Sequence, residues 1–82
     1  MKISLDVFLD ELIKYRTFTN GVTDGVTVGF AVKKCLREKF DIEDKDIAEY
    51  IDESIKLGYA QKLFTDTYRI VRRSVIQKSY AN

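Results

Sequence analysis

The chain contains no proline, no histidine and no tryptophan, and only one cysteine, Cys35, among its 82 residues. Without histidine it lacks the usual neutral-pH general base and the commonest metal ligand. A single cysteine leaves no intrachain disulfide framework. A lone thiol fits a reducing interior, so a cytoplasmic location is expected. Apolar runs are a few residues long, far short of the roughly 20 needed to span a bilayer, so no membrane partner is expected. The opening MKISLDVFLDELIKY places Asp6, Asp10 and Glu11 inside its apolar run, unlike a secretory signal.

The size predicts one domain over residues 1–82. A chain this short buries only about 60–65% of its unfolded surface, so the core is thin. An apolar content of 45% with ten aromatic residues still supports autonomous folding. The charge is nearly balanced, at +1, but sorted. Seven of the thirteen acids fall between Asp41 and Glu53: Asp41, Glu43, Asp44, Asp46, Glu49, Asp52 and Glu53, opposed only by Lys45. Downstream, Lys62, Arg69, Arg72, Arg73 and Lys78 face a single Asp66. Blocks of opposite sign concern what a surface attracts and repels.

Periodicity gives three helices. Ser4 is placed to cap the first, from Leu5 to about Arg16, where Leu5, Phe8, Leu9, Leu12, Ile13 and Tyr15 form one stripe. Asn20-Gly21 and Asp24-Gly25 among threonines mark a turn-rich loop or a small hairpin over 17–27. Thr27 or Asp24 would cap a second helix to about Lys39, with Val28, Ala31, Val32, Cys35, Leu36 and Phe40 inward. Asp44 would cap a third to about Leu57, with Ile47, Ala48, Ile51, Ile55 and Tyr50 inward and Asp46, Glu49, Asp52 and Glu53 in water. Leu57-Gly58 reads as a helix stop. Beyond it two readings stay open. One is a hairpin of 59–64 and 67–71 around Thr65-Asp66, favoured by β-branched residues; the other is a fourth helix capped by Asp66, giving an all-α four-helix domain.

The order helix, turn-rich loop, helix, helix, hairpin resembles the winged-helix family. The carrying residues are Asp46-Ile47-Ala48-Glu49-Tyr50-Ile51, Ile55-Lys56-Leu57-Gly58-Tyr59 and Thr67-Tyr68-Arg69-Ile70-Val71. The resemblance implies an α+β fold, mostly helical, with three helices and a C-terminal β-hairpin. It also implies DNA binding, with the third helix in the major groove and the wing on the backbone. This sequence departs from that pattern on the third helix, whose acids would oppose the phosphates by about 2 kcal/mol per pair at an effective dielectric near 20.

No catalytic constellation stands out, and a non-enzymatic protein without metal or cofactor is expected. Cys35 shares a stripe with Ala31, Val32 and Leu36 and reads as a buried hydrophobe. The run from Asp41 fails as a calcium loop, with Lys45 fifth and Asp46 where glycine belongs. Glu49 and Glu53 are spaced for acid–base work but lack a pocket. Gly21, Gly25 and Gly29 match no phosphate loop. Most aromatics, Phe64 and Tyr68 included, read as core. Phe18 and Phe30 lie off the stripes, as anchors for a partner or a homodimer mate.

Two functions follow. The first is a small DNA-associated regulator, holding the phosphate backbone through Lys62, Arg69, Arg72, Arg73 and Lys78, with Lys33, Lys34, Arg37 and Lys39 adding contacts. The second is a protein-interaction module, an adaptor or phage-type inhibitor, that docks a basic partner through Asp46, Glu49, Asp52 and Glu53.

Overall fold

The computed structural model describes residues 2–19 and 22–71, and over 17–19 and 22–24 it describes the backbone. The expected Arg72, Arg73 and Lys78 therefore lie outside the described residues. Helix α1 (Leu5–Ile13) is capped as its sequence predicts: the Ser4 hydroxyl accepts from the Val7 amide at 3.2 Å. It stops short of Arg16 because the amides of Lys14, Tyr15 and Arg16 each reach back only three residues, tightening the last turn.

The loop region is a hairpin of strands β1 (Thr17–Thr19) and β2 (Val22–Thr27), with an irregular step between Thr17 and Thr19. Strand β2 absorbs Asp24 and Thr27, so neither caps the next helix. Helix α2 (Phe30–Phe40) starts at Gly29 instead, without a side-chain cap. It closes at Asp41, whose left-handed φ of 54° lets the Ile42 amide reach the Arg37 carbonyl at 3.2 Å.

Helix α3 (Asp44–Lys56) is N-capped by Glu43, one residue before the expected Asp44. Asp46 Oδ2 accepts from the Glu43 amide at 2.9 Å, which satisfies an end-of-helix donor. At the other end Gly58 takes φ 80°. Tyr59 N–H bonds the Ser54 carbonyl at 2.8 Å and Gly58 N–H bonds that of Ile55 at 3.1 Å. These two bonds make the left-handed glycine stop that Leu57-Gly58 suggested.

The chain after Gly58 forms strands β3 (Ala60–Phe64) and β4 (Thr67–Ile70), so the all-α alternative is overturned. Asp66, the expected cap of a fourth helix, sits in the hairpin turn at φ 59°. The four strands pair antiparallel in the order β1-β2-β4-β3. Over the described residues the fold is thus α+β: three helices and one antiparallel sheet.

The core joins Phe8, Leu9 and Leu12 of α1 to Val26, Val28, Leu36, Ile42, Ile47, Tyr50 and Ile51. Such side chains contribute about 1.5–3 kcal/mol each when fully buried. Tyr50 is the central piece. Its ring stacks on Phe8 with centroids 4.7 Å apart. Its hydroxyl accepts from the Ile3 amide and donates to the Ile3 carbonyl, both at 2.9 Å.

Several expected core positions are exposed: Ala31 and Cys35 on α2, Ala48 and Ile55 on α3, and Phe64 on β3. Successive helix residues turn by about 100°, so Cys35 falls about that far from the line Val32, Leu36 and Phe40 that meets the core. Only Leu36 of α2 is fully buried, and the apolar stripe read there was wider than the contact it makes. Phe30 does lie off the stripe, and is 81% exposed.

Candidate binding surface

The four expected partner-binding acids divide by role. Glu49 and Asp52 are exposed on α3, whereas Glu53 is half-buried and Asp46, also half-buried, is occupied with capping. The helix buries Ile47, Tyr50, Ile51 and Ser54. At about 100° per residue its outward ridge is Lys45, Glu49, Asp52 and Lys56. Ion pairing among the described residues leaves most of this acidity uncompensated. The only α3 acid so engaged is Asp44, which accepts from Arg37.

Of the expected cations, the two described, Lys62 and Arg69, do not share a face. Directly opposed residues of antiparallel strands share a face. Arg69 is opposed by Gly25 and Gln61, whereas Lys62 is opposed by Tyr68, which in turn faces Val26. Val26 is core, so Arg69 belongs to the outer face of the sheet and Lys62 to the other, on the edge strand β3. Both are exposed and make no ion pair among the described residues. On α2, Arg37 serves Asp44 and Lys39 lies 3.3 Å from Glu11 Oε1. Both therefore already serve the fold.

A different cleft emerges where α2, α3 and the β3–β4 hairpin meet. The Val28 amide donates to the Asp66 carbonyl at 2.7 Å, which straps the hairpin turn to the lead-in of α2. Beside that strap lies a cleft of about 130 Å³. Val28, Ile47, Ala48 and Ile51 supply apolar lining, and Tyr68 adds an aromatic residue. Asp44, Asp52, Asp66 and Lys33 supply the charge. Burial raises the Tyr68 phenol above its ordinary 10.0, and the carboxylates of Asp66 and Asp52 push it further the same way. The sequence reading missed Asp44, Lys33, Asp66 and Tyr68 as one group. Their only sequence signal was the acid Asp66 standing alone inside the basic block.

A second charged cluster joins α1 to α2. Glu11 is buried, with Lys14 at 3.2 Å and Lys39 at 3.3 Å from Oε1, and the Tyr15 hydroxyl 3.4 Å from Oε2. Burial alone would raise the Glu11 carboxyl, but the two ammonium groups outweigh it and hold it below the usual 4.5. Tyr15 is pushed up to about 12 by burial, with Cys35 and Glu11 adding to the shift. Cys35 is exposed, correcting the expectation of a buried hydrophobe.

Among the described residues no group of three or more His, Cys, Asp or Glu is arranged to hold a metal ion, and no helix is long and apolar enough to cross a membrane. No protein-family model, curated protein or solved structure matches this chain.

Proposed function

We propose that this domain is a non-enzymatic binding module of winged-helix type that docks a basic protein partner on the outward side of α3. The element order supports the winged-helix reading: a strand precedes α2, α3 follows, and a hairpin returns with β4 between β2 and β3. The β1 strand is an addition to the expected plan. One observation carries the choice of partner. The element that would enter a DNA groove exposes Glu49 and Asp52, and the hairpin turn beside it adds Asp66. Facing phosphates, each such carboxylate costs about 2 kcal/mol at an effective dielectric near 20. Facing lysines and arginines, the same charges steer association and fix its register.

A second reading keeps the DNA-associated regulator, because Arg69 stands exposed on the outer sheet face without an ion pair among the described residues. In that reading Arg69 and Lys62 contact phosphates, with Arg72, Arg73 and Lys78 beyond the described residues. Fluorescence anisotropy separates the two. A labelled arginine-rich peptide and a labelled DNA duplex are titrated at low and moderate salt. The docking reading expects peptide binding and no duplex binding. Duplex binding that falls steeply with salt, and is lost in Arg69→Gln, would instead establish the DNA reading.

A further inference from the structure

We infer that the cleft between α2, α3 and the hairpin receives a single arginine side chain of the docking partner. The inference rests on the protein-docking reading and names the place where that partner is anchored. An arginine has two parts, an apolar stem and a planar cation, and each needs a different surface. The cleft offers both. Val28, Ile47, Ala48 and Ile51 provide apolar wall for the stem. Tyr68 also lines the cleft, and an aromatic ring favours a guanidinium over an ammonium. Asp52 comes from α3 and Asp66 from the hairpin turn, and neither makes an ion pair among the described residues.

The remaining charges are accounted for. Asp44 is already held by Arg37, and Lys33 is the one cation among the described residues lining the cleft. Lys33 is half-buried and likewise makes no ion pair among the described residues, so it partly offsets the carboxylates without sealing the site. It tunes the affinity: an incoming guanidinium must share the space with it, and removing its charge strengthens binding.

The test is a nitrogen-15 NMR titration of the full chain with capped arginine, Nα-acetyl-arginine methylamide. The matched citrulline derivative, which keeps the shape and loses the charge, is the control. The expected result is a saturable shift of the Lys33, Ala48, Asp52, Asp66 and Tyr68 amides with arginine and little response to citrulline. The double variant Asp52→Asn/Asp66→Asn weakens the response about tenfold, and Lys33→Met strengthens it. Asparagine tolerates the left-handed φ at position 66, so the variant keeps the turn. Equal shifts with citrulline, or shifts confined to other surfaces, would overturn the inference. Its failure is distinguishable from failure of the docking reading. An arginine-rich peptide that shifts Glu49 and Glu53 but not the cleft sinks only the arginine pocket, and one that shifts nothing on α3 sinks both.

Discussion

Among the described residues, the α1–α2 junction and the α3–hairpin cleft both gather charge, and they are resolved in opposite ways. At the α1–α2 junction, Glu11 is buried and met by two ammonium groups and a phenol. At the α3–hairpin cleft, Asp52 and Asp66 stand in a concave, partly apolar setting and are left without an ion pair among the described residues. A satisfied carboxylate contributes to the fold. One left unanswered beside an aromatic ring and an apolar wall costs little in water and is available to a second molecule. The contrast predicts that the Glu11 cluster governs stability and the cleft governs binding.

The largest effect that can break this comparison is Glu11→Ala, expected to cost about 1–3 kcal/mol. Loss of a buried, charge-assisted bond is partly relieved because Lys14 and Lys39 remain solvated. Chemical denaturation measures it, and an unchanged midpoint would remove Glu11 from the structural side. Tyr50→Phe sharpens the contrast between the two sides of α3. It leaves the Ile3 amide and carbonyl without their partner and should cost about 1–2 kcal/mol by the same assay.

The pH response follows from the same cluster. The folded Glu11 carboxyl lies below its unfolded value, so its contribution is complete above about pH 4.5 and fades as the pH falls through the folded value. Thermal melts should show this acid loss in the native chain and a diminished loss in Glu11→Gln. Tyr15 has the opposite sign: its raised phenol contributes below pH 10 and loses that contribution as the pH climbs towards 12. The smallest expected effect is that of Asp52→Asn/Asp66→Asn on stability, within about 0.5 kcal/mol, because both side chains are exposed. A larger loss would move the cleft carboxylates into the structural class.

The helices were legible where one periodicity acted alone. Leu5 through Leu12 and Ile47 through Ile51 repeat at helical steps, and both helices formed with their N-caps within a residue of expectation, although the first ended short of Arg16. The α2 start was not legible. Val28, Ala31 and Val32 continue a helical pattern backwards, but pairing of Gly25, Val26 and Thr27 with Arg69, Tyr68 and Thr67 holds the preceding residues in the sheet. Tertiary pairing overrode the local pattern, as it commonly does in strands. Phe64 and Ile55 show a related limit: spacing marks an apolar residue as eligible for the core, but only the neighbouring layer decides whether it is covered. The cleft was the least legible part. Lys33, Asp52 and Asp66 belong to three elements, and a backbone bond from Val28 to Asp66 straps the hairpin turn to the lead-in of α2. No spacing rule foresees such a strap.

The sorting of charge was visible in the sequence, but not its geometry. Lys62 and Arg69 looked like one basic wing, and a strand's two-residue period sends them to opposite faces. Asp46 looked like a docking acid, and it serves the helix start.

The most direct measurement compares an arginine-rich peptide binding to the native chain and to Glu49→Lys/Asp52→Lys, by anisotropy at fixed salt. Docking on α3 predicts that charge reversal weakens the peptide about tenfold or more while the fold, followed by circular dichroism, is retained. Equal affinity in a folded variant would contradict it.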